Sequence, residues 1–282
     1  MAAIEEVGNG ARVKEQDSVS AAPAAGSIEI RHCDQVSEFQ ACVELQREVW
    51  GFSDAELVPV RMFVVAHKIG GQVIGAFSGQ ALVGFALSVP GVRAGNPYLH
   101  SHMLAVKQEY RNAGLGRQLK LAQREEAIAR GFELMEWTFD PLEIKNAYLN
   151  IEKLGAIVRR YSVNQYGITS SPLQAGLPTD RCIAEWWLRS HRVCRLLESG
   201  ERESFAAEKT ITVPALIYHW KSDPAKRDRA RDVQLANREQ FLNAFGKGLA
   251  VLGYSRDAEG TGSYLLAQAH EVFAFSAGQK HI

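Results

Sequence analysis

The sequence predicts a mixed α/β protein of the α+β kind, a sheet flanked by helices, and three observations predict it. Strand-like and helix-like stretches follow one another from Ser27 to Tyr166 in the order β-α-α-β-β-β-α-β-α-β. At their centre, Arg111-Asn112-Ala113-Gly114-Leu115-Gly116 joins a strand to a long amphipathic helix. Hydrophobic residues form 46% of the 282-residue chain, ample for a packed core.

Residues 1–26 are rich in Ala, Gly, Ser and Glu and bury too little apolar surface to offset ordering entropy, so a disordered tail is expected there. Ile28 to His32 alternates as a first strand, and Asp34 stands where it can cap a helix carrying Val36, Phe39, Val43, Leu45 and Val49. That helix stops near Gly51. Pro59 opens a short second helix that Gly70-Gly71 ends. Gln72 to Phe77 and Ala81 to Val89 form a hairpin through Ser78-Gly79-Gln80. Residues 90–97 hold two prolines and two glycines and predict a loop before the central strand, Tyr98 to Val106.

After the glycine turn, Leu115, Leu119, Leu121, Ala122, Ala127 and Ile128 recur at helical spacing. Glu133 to Phe139 is a fifth strand, residues 143–154 a helix ending at Gly155, Ala156 to Val163 a sixth strand, and Cys182 to Leu188 a further one. Arg189 to Glu208 is charged and irregular. Lys209 to Pro214 then reads as a short edge strand, Asp223-Pro224 starts a helix reaching Gly246, and Leu249 to Tyr254 with Ser263 to Gln268 forms a terminal hairpin. The expected organisation is a tail (1–26), a core (27–190) and a C-terminal αββ extension (191–282) packed on the core, covering its acceptor side.

A strand–glycine–helix junction has its own chemistry. The first N–H groups of a helix lack intrahelical partners and its dipole makes that end mildly positive, so an anion is the natural guest. Gly114 and Gly116 would let a phosphate approach the backbone, with Arg111 and Arg117 adding charge. An ordinary tight turn is the plainer reading of a bare glycine pair. A dinucleotide fingerprint would want a third glycine where Leu119 stands, and a P-loop its Gly-Lys-Ser/Thr, which is absent.

Arg111-x-x-Gly114-x-Gly116 after a strand ending Leu104-Ala105-Val106 resembles the acyl-CoA-binding motif of GCN5-related N-acyltransferases (GNAT), and the similarity extends from about Ser27 to Tyr166. The resemblance implies a centrally splayed sheet whose cleft takes the pantetheine arm. Backbone groups of Leu104, Ala105 and Val106 would bond that arm, and amides of Arg111, Asn112, Ala113, Gly114, Leu115, Gly116 and Arg117 the pyrophosphate. Further pieces, Asp140-Pro141-Leu142, Asn146-Ala147, Leu154-Gly155-Ala156, 177–181 and Glu185-Trp186-Trp187, are similar to a bacterial subgroup, some of whose members are associated with acylating amino acids, including with succinyl groups. The implied cosubstrate is acetyl-CoA or another acyl-CoA, succinyl-CoA among them, with no metal.

Such chemistry needs a neutral amine, donors for an oxyanion and a proton for the departing sulfur. His100 and His102 lie two apart, hence on one face of a regular strand, and either can take the proton of an ammonium or merely pack. His102 is nearer the expected thioester end. Many family members carry a proton-donating Tyr four residues before the glycine that ends the fourth helix; here that position is Ile151, and Tyr148 is the substitute, unless it is simply a packed tyrosine. Asn146 and Asn150, four apart on a helix, suit a ligand contact or form a solvated stripe. Asp140 either caps a helix or partners the acceptor amine, and Arg159 with Arg181 could grip a carboxylate.

Lys plus Arg and Asp plus Glu are both 32, which speaks against a nucleic-acid partner. Cys33, Cys42, Cys182 and Cys194 form no CxxC pair and read as reduced structural thiols. No apolar run is long enough for a membrane span and no signal peptide is evident, so a soluble cytoplasmic protein is expected. Exposed strand edges in the C-terminal half allow a homodimer. The function expected is acyl transfer from a CoA thioester to a small-molecule amine such as an amino acid. Its alternatives are a non-catalytic acyl-CoA-binding or regulatory module and a protein or peptide N-acetyltransferase.

Overall fold

Ten strands form one sheet in the computed structural model, which describes residues 27–93, 95–167 and 169–268. The expected tail, 1–26, lies outside the described residues. The strands are β1 (Ile28–His32), β2 (Gln72–Ser78), β3 (Ala81–Arg93), β4 (Asn96–Val106), β5 (Leu134–Phe139), β6 (Ile157–Ser162), β7 (Arg181–Trp187), β8 (Lys209–Val213), β9 (Leu249–Arg256) and β10 (Gly262–Gln268). Their spatial order is β1-β2-β3-β4-β5-β7-β6-β9-β10-β8, and every neighbouring pair is antiparallel except β4 with β5.

That parallel pair is brief. Leu99 faces Met135 and His100 faces Glu136, after which the strands diverge, giving the central splay the sequence predicts. A bulge in β4 accompanies the divergence: Leu87 pairs with Met103 and Ser88 with Ser101, so His102 is the extra residue. The bulge reverses the alternation of faces. Ser101 reaches helix α3 (Leu115–Ala129) through Lys120, and Leu104 and Val106 pack beside Leu115 and Leu119, whereas Met103 and Ala105 join Phe63 and Phe85 on the other face. His100 and His102 therefore do not share a regular strand face, although their rings lie 6.1 Å apart.

Helices α1 (Val36–Trp50) and α2 (Val60–Lys68) cover one face of β2–β4 through Phe39, Val43 and Phe63. Each such side chain, fully buried, contributes about 1.5–3 kcal/mol. The start of α1 is set by Gln35, whose capping box pairs it with Glu38, and not by Asp34. Gly51 ends it at φ 63°. The opposite face carries α3, α4 (Ile144–Ala147) and α7 (Arg227–Gly246) around Trp137, Trp186, Ile151 and Phe241. No described helix is long and apolar enough to cross a membrane.

Three expectations need correction. Residues 90–93 and 96–97 are strand, Pro90 facing Leu99 and Pro97 facing Val92, because proline's fixed φ suits extended backbone at the end of a hairpin. The helix after β5 is α-helical only to Ala147; Tyr148 to Lys153 wind as a π-helix. The stretch read as irregular holds α5 (His191–Ser199), with Ser190 Oγ accepting from Val193 N at 3.4 Å and Gly200 in the left-handed region beyond it. The C-terminal half, which also contains α6 (Ile217–Ser222), continues the sheet through β6–β9, and α7 packs on the α3 side.

Candidate active site

Beyond His100 and Glu136, the facing edges of β4 (101–106) and β5 (137–139) have no strand between them. A wedge of backbone donors and acceptors opens there, suited to an extended ligand that itself carries amides. Leu104, Ala105 and Val106 lie along it. At its wide end stands the N-terminus of α3. Gly114, at φ 83° and ψ 0°, precedes the first turn with no side-chain cap and no acidic residue, and Gln118 N is the first amide to bond back, to Gly114 O at 3.1 Å. The amides of Leu115, Gly116 and Arg117 are thus left for an anion.

The two glycines serve differently. A Cβ on Gly114 would meet nothing within 4 Å, so the residue is required by its left-handed backbone, as Asn112 at φ 63° is tolerated by its short side chain. A Cβ on Gly116 would make only ordinary contact with Leu104 Cδ2 at 3.8 Å and Val106 Cγ2 at 4.0 Å. Neither glycine is demanded by internal crowding, and the space above both is open, which fits a bound pyrophosphate. Asn112 and Ala113 are exposed at the rim. Arg111 folds back, Nε donating to Val106 O at 2.9 Å, so it caps the end of β4 as well as lending charge.

His100 and His102 stand at the narrow end. Burial, then the neighbouring His102, Lys120 and Arg93, push His100 down to about 4; partial burial of its ring also lowers His102, although the residue as a whole is exposed. Both rings are therefore neutral at physiological pH. Glu136, in register with His100, is 3% exposed and takes Arg93 and Arg160; Glu185, equally buried, takes Arg159 Nε and Arg160 Nε, each at 3.1 Å. Two carboxylates and three guanidiniums form one network.

That network removes Arg159 from the expected clamp with Arg181. Arg159 is committed to Glu185, while Arg181, roughly 10 Å further along the ladder, bonds Asp180 O at 2.8 Å and Gln174, and lies over the Tyr166 ring. Asp140 is likewise engaged. Its Oδ1 accepts from Leu142 N at 2.8 Å and its Oδ2 from Lys221 Nζ at 3.2 Å, in a buried pair that does not cap α4 and whose cationic partner is supplied by the chain itself. Burial alone would lower Lys221, but Asp140 and Glu143 outweigh it and raise it.

The π-winding separates the two asparagines: Asn146 is exposed and Asn150 is 5% exposed. Ile151 is 1% exposed within the core, so no hydroxyl belongs there. Tyr148, half-buried, packs against that core with Lys153 Nζ 5.3 Å from its ring.

Sequence reasoning passed over several residues at the narrow end. Lys120 and Gln123 meet Ser101 beneath the splay, and Tyr166 shares a 2.9 Å hydrogen bond with Thr138 on β5. Lys120 hid among the polar residues of an amphipathic helix, and nothing in its spacing marks it as inward-facing. Two surface depressions, one lined by Ile151, Arg192 and Tyr254 and one by Ser171, Gly176 and Lys221, lie away from the wedge.

Residues 33–149 match the family model of the Acetyltransferase (GNAT) family. The chain is similar to solved structures that include the ribosomal-protein-S18-alanine N-acetyltransferase of Escherichia coli, at 17% identity over 56% of this chain and 92% of that one, with a TM-score of 0.45. Others are yncA of Salmonella typhimurium, solved with acetyl-CoA, at 18% identity over 58% and 95%, TM-score 0.47, and a GNAT acetyltransferase of Streptococcus pneumoniae, at 16% over 56% and 98%, TM-score 0.45. No curated protein matches the chain.

Proposed function

We propose that the chain, whose residues 33–149 match the family model of the Acetyltransferase (GNAT) family, is an enzyme of that type and transfers an acyl group, acetyl or succinyl, from a CoA thioester to the amine of a small molecule such as an amino acid. The observation that carries this reading is the wedge between β4 and β5 opening onto the uncapped first turn of α3. One end holds a phosphate-bearing tail and the other has neutral imidazoles beside it.

In the reaction, the acceptor ammonium first loses a proton, directly or through water, to an imidazole. His100, down near 4, would hold that proton poorly, which favours His102. The free amine attacks the thioester carbon, and backbone N–H groups of the bulged strand around His102 offer donors to the oxyanion. The C–S bond then breaks, and the second proton of the attacking nitrogen passes to the departing thiolate by way of Tyr148 or water, leaving the neutral amide and the free thiol. Orientation within the wedge supplies much of the acceleration. The guanidiniums of Arg93, Arg159 and Arg160 outnumber the carboxylates of their network by one, which favours an acceptor that itself bears a carboxylate.

Gly116→Asp is the test. An acidic side chain in the first turn suits the helix dipole, so the variant should keep its Tm, while a carboxylate amid the amides repels phosphate. Calorimetric CoA affinity is expected to fall by about a hundredfold or more, the loss of two charged hydrogen bonds, and thiol release in turnover to fall with it. Unchanged affinity in the folded variant would refute the site. Binding of acyl-CoA without turnover on any amine would favour the non-catalytic module.

A further inference from the structure

The sheet parts a second time, far from the wedge. β6 and β9 pair only at Val158 and Val251, and past that point side chains complete the β9 backbone: Arg192 donates to Leu252 O, and Glu152 Oε1 accepts from Tyr254 N at 2.7 Å. Arg192 Nε also donates to Gly155 O at 3.0 Å. Between α5, β9 and the π-wound turn that carries Glu152 lies a cavity of about 200 Å³, with the exposed residues Glu201 and Arg202 at its rim.

Ile151, Leu196, Phe205, Leu252 and Leu265 give this cavity apolar walls. Three of its charged side chains are engaged by the chain itself, Glu152 by Tyr254 N and Arg202, and Glu201 by Arg195. Arg192 and Glu203 are less complete. Glu203 Oε1 lies 3.4 Å from His191 Nδ1, but its Oε2 is buried and meets no hydrogen-bond donor among the described residues. Arg192 Nη1 stands 3.9 Å from that oxygen, on a side chain only 10% exposed.

A separation of 3.9 Å is too long for a hydrogen bond and right for a polar group to bridge, accepting from the guanidinium and donating to the carboxylate. A carboxylate there would face Glu203, and an ammonium would face Arg192, so neither ion suits both. A neutral group with one donor and one acceptor does. One water, about 30 Å³, would bridge the pair but leave most of the apolar wall uncovered. A body of several carbon atoms behind the same head covers it.

We propose that this cavity is a second ligand site, separate from the wedge, for a small neutral molecule that presents a carboxamide or hydroxyl to Arg192 and Glu203 and an apolar body to Ile151, Leu252 and Phe205. Its occupant lies against the π-wound turn that also carries Tyr148 and Asn150.

The test is a methyl-NMR titration of the full chain with benzamide, benzyl alcohol, benzoate and toluene, read at Ile151, Leu196, Leu252 and Leu265, with and without saturating CoA. Benzamide or benzyl alcohol is expected to shift those methyls with a Kd of about 1 mM or tighter, at least about tenfold tighter than benzoate or toluene, the worth of one hydrogen bond to a charged group. Whichever of the two binds more tightly identifies the head, and CoA should change neither. Glu203→Gln puts an amide where the unpaired acceptor stands, so benzoate should gain on benzamide by about tenfold. Should that variant fail to fold, Leu196→Trp, at a half-buried position, fills the cavity and should abolish binding. Toluene bound as tightly as benzamide, an order unchanged in Glu203→Gln, binding that survives Leu196→Trp, or competition by CoA would overturn the inference. So would shifts from none of the four compounds, which would leave a bridging water only. The transferase reading stands or falls separately, on CoA binding at the wedge.

Discussion

The two faces of the sheet at the splay treat buried charge in opposite ways. Away from α3, Glu136 and Glu185 are enclosed by Arg93, Arg159 and Arg160 in a network whose carboxylates are fully engaged. Toward α3, Lys120 is just as deeply buried and among the described residues has only a hydroxyl and an aromatic ring. Equal burial with unequal pairing separates charges held in a salt-bridge network from one held by a hydroxyl and an aromatic face.

The contrast can be broken by deleting one charge from each face. Glu185→Ala deprives Arg159 and Arg160 of one carboxylate partner each, and because both arginines are about a third exposed the usual penalty for breaking a buried pair is reduced by solvent to about 2–3 kcal/mol, read from denaturant unfolding. Lys120→Met, which replaces an unpaired buried amine with an apolar chain, is expected to leave stability unchanged or raise it. A loss of comparable size in both variants would erase the distinction between the faces.

A smaller effect sharpens it at the bulge. His102→Gln keeps a polar side chain but removes the base, and kcat should fall by about thirtyfold, roughly 2 kcal/mol, with little change in acyl-CoA affinity. A matching loss in acyl-CoA affinity would make His102 a binding residue instead.

The smallest effect concerns His100. Its folded value, near 4, lies below the ordinary 6.5, so the folded protein binds fewer protons than the unfolded chain between those values. The stability it contributes is present above about 6.5 and is lost as pH falls toward 4; the full shift corresponds to about 3 kcal/mol, which the partial exposure of the ring reduces to on the order of 1–2 kcal/mol. Relative to the wild type, His100→Asn should show a flatter dependence of Tm on pH over that window, and an identical slope would show that the ring is not buried as neutral imidazole.

Most of the secondary structure was legible because it rests on local signals. Pro59, Gly51 and the apolar spacing of α1, α2 and α3 each act within a turn or two of themselves, and the glycine turn appears where a strand must become a helix. α5 had a signal that was passed over: Ser190 before it, Gly200 after it, and Val193, Leu196 and Leu197 at helical spacing between. The site was legible where backbone does the work, at Gly114 and Gly116, and much less so where side chains converge. Asp140, Arg159 and Arg181 were chosen for their chemistry, yet Lys221, Glu185 and Gln174 claim them from 81, 26 and 7 residues away in sequence.

The sequence by itself determined the order of elements, the place of the glycine turn and the absence of a hydroxyl at Ile151, since each depends on the identity of a residue and its immediate neighbours. The tertiary structure alone decided the bulge at His102, the π-winding that parts Asn146 from Asn150, and which charges are paired. Those depend on how β4 is gripped by β3 on one side and released by β5 on the other, and on side chains brought together across long stretches of chain. No local pattern encodes whether a lysine on an amphipathic helix faces water or, as Lys120 does, the closed end of a cleft.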